Sequence, residues 1–139
     1  MLSLPVAVHT RLSTLSGGVK TPGSFFNVAP APDNLPYRIV NQNPGTPVDF
    51  SSDQDEITET VTILVHVYDH DAVWVYEDLE RIQKSFVTTT LVLDSGRVIL
   101  TEPGSHTVDV DPDRDDETGK EVYHGVLITD FTVQRRLKN

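Results

Sequence analysis

The densest group of side chains able to bind a metal or move a proton is His66-Val67-Tyr68-Asp69-His70-Asp71. A metal-dependent hydrolase built on it would need His66, Asp69 and His70 to converge, because zinc holds its ligand nitrogens at about 2.1 Å. On a strand the two histidines stand roughly 13 Å apart along the chain. Only a helix would bring them together, and the alternation of Val61, Ile63, Val65 and Val67 is that of a strand. The spacing therefore places His66 on the outer face of a sheet and makes Asp69 to Asp71 a turn capping the next helix. The hydrolase remains the alternative from the enzyme class.

Asp109, Asp111 and Asp113 alternate as the first ligands of a calcium loop do, but Arg114 stands where that loop requires glycine and Lys120 where it requires glutamate. A solvated acidic hairpin tip over 109–120 is the expectation. The chain has no cysteine, which excludes disulfides, thiolate metal sites and cysteine nucleophiles. No nucleophile elbow and no glycine-rich phosphate loop after a strand is present. Neither a catalytic residue nor a cofactor is expected.

The elements that position these residues follow from periodicity. Ser3 reads as an N-cap with Pro5 in the first turn, and Val8, Leu12 and Leu15 give helix 1 an apolar stripe from Leu4 to Ser16, stopped by Gly17-Gly18. Short strands are expected over Ser24–Val28 and Leu35–Val40, then a long loop from Asn41 to Ile57, then a strong strand over Glu59–Tyr68. Asp71 caps a second helix whose inner stripe is Val75, Leu79, Ile82 and Phe86, with Glu77, Asp78, Glu80, Arg81 and Lys84 outside. Residues 87–93 read as strand or helix end. Short strands over Arg97–Thr101 and Thr107–Val110 and a long one over Val122–Leu137 complete the order. The 139 residues suit one domain over 1–139, an α+β fold with an antiparallel or mixed sheet and both helices packed on one face. The other face must meet solvent or a partner.

The net charge of −10 opposes nucleic-acid binding, which draws its affinity from Lys and Arg on phosphates. The same sign suits a surface that DNA slides past. No apolar run approaches the roughly 20 residues of a membrane span, and Met1 to Pro5 lacks the start of a signal peptide. A soluble chain made in a cytoplasm is expected.

Taken in order, the short N-terminal helix, a strand, Leu35-Pro36-Tyr37-Arg38-Ile39-Val40, a long polar loop, the strand from Glu59 to Asp69, the helix after that aspartate and the final strand Gly125 to Val133 resemble the tail terminator (tail completion) proteins of long-tailed bacteriophages. The resemblance spans nearly the whole chain, although the acidic segment Asp109 to Lys120 is longer than the pattern leads one to expect. It implies a sheet flanked by helices on one side and a hexameric ring at the head-proximal end of the tail tube. That ring stops tube polymerisation, meets the head-completion (stopper) protein and leaves a channel through which DNA passes without specific binding. The implied partners are other copies of the chain, the tail tube protein and the stopper, with no membrane; the implied location is the virion, reached from the host cytoplasm. A head-completion or tail-tube protein of the same virion is the alternative within the structural class.

A closed ring needs two different patches per subunit. The candidates are the loop with Asn43 and Phe50 together with Trp74 and Tyr76 on one side, and the basic end Arg135, Arg136 and Lys138 on the other. Trp74 and Tyr76 serve equally well as core margin. Asp53, Asp55 and Glu56 are the candidates for lining the channel.

Overall fold

The computed structural model describes residues 4–27, 35–42, 46–50, 56–93, 96–115 and 120–136. Among the described residues two helices and six strands follow one another as α1 (Leu4–Thr14), β1 (Gly23–Phe26), β2 (Tyr37–Gln42), β3 (Thr46–Phe50), β4 (Glu56–Asp69), α2 (Ala72–Thr88), β5 (Arg97–Asp115) and β6 (Glu121–Arg136). The strands form one sheet in the order β1-β2-β4-β6-β5, with β3 beside the first part of β4. Only β1 and β2 run parallel, so the sheet is mixed.

β4 is the spine. Val61, Ile63, Val65 and Val67 turn to one face and are buried, and on β6 Phe131, Thr129 and Leu127, opposite the first three, and Val133 do the same. Both helices cover this face, α1 over β1 and β2 and α2 over β4, β5 and β6. Val75, Leu79, Ile82 and Phe86 supply α2's buried stripe, and Leu4, Ala7, Val8 and Leu12 that of α1. The α+β class and the one-sided helices are as the periodicity implies. Ser3 lies outside the described residues. Asp71 caps α2, its Oδ1 accepting from the backbone N–H groups of Val73 and Trp74 at 3.0 and 3.2 Å.

Three expectations need correction. The stretch from Asn41 to Ile57 is not one loop, since β3 pairs antiparallel with β4 across Thr46 to Phe50. Pro47 hides it from a periodicity reading, and an edge position beside a bulge is where a sheet tolerates proline. The two short strands after α2 are one strand, β5, whose ladder to β6 shifts register between Pro103 and His106. Asp78 is not on the outer side of α2 but fully buried, three residues after Val75 and four before Ile82.

Asp78 is there for Arg38. The Arg38 guanidinium is fully buried under both helices, with Nε and Nη2 donating to the Asp78 carboxylate at 2.8 and 2.6 Å. Its other N–H groups reach the carbonyls of Leu12, Leu15 and Ser16 at 3.0, 3.0 and 3.3 Å. These carbonyls belong to the last turn of α1 and the two residues just after it. One side chain from β2 thus ties the end of α1 to the middle of α2, and all five of its donors are used. The same corner holds Trp74, whose indole N–H donates to the Gly17 carbonyl at 2.8 Å.

Candidate interaction surface

The sheet face turned away from the helices carries the hydrolase candidates' first member and a row of aromatic rings, of which Tyr37 is fully buried and the others half-buried. Tyr37, Tyr68 and His124 stand directly opposite one another on β2, β4 and β6. Tyr68 stacks on Tyr37 with centroids 4.9 Å apart and on His124 at 4.4 Å, and His124 stacks on His66 at 5.0 Å. Phe25 meets Tyr37 edge-on at the β1 end of the row. Beyond it lie Leu64, Val126 and the exposed Ile128, with Leu64 and Ile128 paired across β4 and β6.

His66 and His124 are joined by a 2.7 Å hydrogen bond between Nδ1 and Nε2, and the Asn41 amide nitrogen stands 3.2 Å from His66 Nε2. An Asn41 N–H donating to Nε2 leaves the proton of neutral His66 on Nδ1, from where it points at His124. Burial, and then the neighbouring His124, lower the pKa of His66 from 6.5 to about 4. Burial, and then the Asp111 carboxylate, raise that of the Tyr68 phenol. The unfolded chain therefore binds a proton at His66 before the folded one does. Stability attached to this site is complete above pH 6.5 and declines as the pH falls towards 4. The difference in unfolding free energy between wild type and His66→Gln, followed by urea titration, should shrink across that window; a difference that stays constant from pH 7 to 4.5 contradicts this.

The three proposed hydrolase residues do not meet. His66 points to the outer face, while Asp69 is buried on the helix side and binds Lys20. His70 lies beyond the strand, its Nδ1 2.9 Å from the Glu121 carbonyl oxygen. His66's actual neighbour, His124, is 58 positions away and was not legible as such. Its signal would have been the pairing of β4 with β6, which sets His124 opposite Tyr68. Asp109 and Asp111 lie in extended β5, with their side chains on one face of a strand rather than around a calcium loop.

The interface candidates are regrouped. Phe50 pairs with Ile57, Arg135 with Ile57 across the other edge, and Glu56 with Arg136, so the end of the polar loop and the basic end occupy the same end of β4. They are not two opposite patches. Arg135 Nε donates to Glu59 on its own chain at 3.0 Å. Trp74 and Tyr76 lie on the first turns of α2, away from that end, with Tyr76 beside His106, which is level with Val65 on β4. Trp74 is 3% exposed, packed in its own chain's core with Lys20 and Arg81 near its ring, so its ring has no face to offer a neighbour. Tyr76 is exposed, its ring 5.0 Å from that of His106. Asn43, Asp53, Asp55 and Lys138 lie outside the described residues.

The architecture is a six-stranded mixed sheet with two helices on one face. Among solved structures it is similar to a chain described as "Virion of native gene transfer agent (GTA) particle", with a TM-score of 0.66, 18% sequence identity and 95% of each chain covered. At that identity the likeness is one of fold. No protein-family model matches the chain, and no curated protein matches it by sequence.

Proposed function

We propose that the chain is a structural subunit of a phage-like virion, a tail terminator that assembles as a hexameric ring on the head-proximal end of the tail tube. The observation that carries this reading is the fold likeness to a virion chain over 95% of both chains. The order of elements from Leu4 to Val133 supports it independently, because it resembles the tail terminator pattern. The failure of His66, Asp69 and His70 to converge removes the geometric basis of the enzyme alternative.

In this reading the ring ends tube growth, meets the stopper protein and lets DNA through. Asp53, Asp55 and Glu56 border the channel, where reversing all three to lysine would slow DNA ejection; unchanged ejection kinetics would remove them from it. The rest of the role is tested on polymerising tail tube protein. Added chain should shorten the tubes and leave one ring at a tube end in electron micrographs. Tubes of unaltered length, or chain incorporated along the tube wall, count against a terminator and for a connector or tube protein respectively.

A further inference from the structure

A subunit with a net charge of −10 repels its own copies unless the surfaces that touch keep carboxylates away from carboxylates. The charges are distributed unevenly enough to say which surfaces those are. The first acidic residue of the chain is Asp33; before it stand only Arg11 and Lys20, which leaves nine of the eleven cations against all 21 acidic residues in the remainder. The described acid-free stretch, Leu4 to Asn27, is α1, the turn after it and β1. Together these form one margin of the sheet. Of its two cations Lys20 is neutralised by Asp69, whereas Arg11 is held by the main-chain carbonyls of Ser85 and Thr90 at 2.7 and 3.4 Å, so it is Arg11 whose charge raises the local potential.

The opposite margin is β5, four strand spacings or about 19 Å away. Its exposed side chains include Glu102 and Asp109, with Arg97 at its start bound to the Gln134 side-chain oxygen. Both margins also expose apolar groups. On the acid-free side these are Val6, one turn before His9 on α1, and Phe26, whose ring meets His9 edge-on at 6.2 Å. On the acidic side they are Ile99, Leu100 and Val110. Pro103 and the register shifts along β5 interrupt its outer row of main-chain donors, so contact there falls to side chains rather than to a continued ladder.

We infer that the acid-free margin formed by α1 and β1 of one copy docks against the acidic β5 margin of the next, head to tail. The contact joins two different patches on opposite edges of one sheet, which is the arrangement that closes into a ring when the rotation between copies allows it. The inference rests on the ring reading for its biological use and names the surfaces that build the ring. They differ from those marked by the aromatic residues and the basic end.

The test uses three variants of the full chain, each checked for native circular dichroism. The first makes the α1 and β1 margin acidic with Val6→Glu and Asn27→Asp, both exposed, Asn27 having a φ of 61° that aspartate also tolerates. The second makes β5 basic with Glu102→Lys and Asp109→Lys. The third combines all four. Association is followed by light scattering and native mass spectrometry at low salt, on the chain alone and with tail tubes. Each of the first two should need at least about tenfold more protein to associate than wild type, roughly the effect of losing one favourable charge contact at each interface. The combined variant should recover towards wild type because its charges match again. First and second variants that associate like wild type, or a combined variant no better than either, overturn the assignment while an oligomeric wild type leaves the ring reading intact. A wild type that remains monomeric under both conditions overturns both.

Discussion

Arg38→Met should lower the unfolding free energy by about 3–5 kcal/mol, the range for removing one partner of a buried ion pair. Methionine fills much of the arginine's volume, so the loss is electrostatic rather than a cavity. It leaves Asp78 fully buried with only Arg81, three residues along the same helix, at 3.1 Å, and strips donors from the carbonyls of Leu12, Leu15 and Ser16. Arg38→Lys should rescue little, because three donors on a flexible stem cannot reproduce a bidentate grip on Asp78 and three carbonyls at once. The double variant Arg38→Met/Asp78→Leu should lose less than the two single changes added together, since it removes the stranded charge as well. Urea unfolding of the wild type and the four variants, Asp78→Leu among them, measures all of this. An Arg38→Met variant within about 1 kcal/mol of wild type would show that the pair contributes no more than an exposed one does.

Gly125→Ala should lower the unfolding free energy by about 1–3 kcal/mol. Gly125 lies in β6 under α2, opposite Val67. A Cβ there would stand 2.6 Å from Val75 Cγ1 and 2.7 Å from Leu79 Cδ1, both on the buried stripe of α2. Valine has a stiff χ1 and cannot swing aside, so α2 must lift from the sheet. Val75→Ala in the same chain should recover part of the loss by opening space, a coupling that a thermodynamic cycle detects. Strict additivity of the two changes would mean that α2 does not depend on this close approach.

Both positions show where sequence reading succeeds and where it stops. The periodicity of β4 and α2 was legible because one face of each is apolar along its whole length, and the Asp71 cap because its chemistry is local. Arg38 was not, since it alternates with Tyr37 and Ile39 on a strand whose two faces are both buried, and period-two reasoning then has no polar side to find. Asp78 sits on the inner stripe by spacing, but a lone acidic residue there reads as surface until its buried partner is known. β3 was missed because prolines and polar residues mask an edge strand. The interface residues were harder still. Exposure of a ring or a run of arginines is a local property, whereas which end of the sheet each reaches depends on the register of β4 with β3 and β6, and that register placed the basic end beside the polar loop.

The sheet face turned away from the helices stacks Tyr37, Tyr68, His124 and His66 in one row, with Phe25 edge-on to Tyr37, between the two margins. In the proposed ring, each subunit would present a different surface to the tube below than to the connector above.

The most direct test of that claim is the length of tails assembled in the absence of this chain, measured by electron micrography of lysates from a particle whose copy of the gene is deleted. The terminator reading predicts tubes that overrun their normal length and carry no head. Tails of normal length that merely lack heads would contradict it and assign the chain to the connector instead.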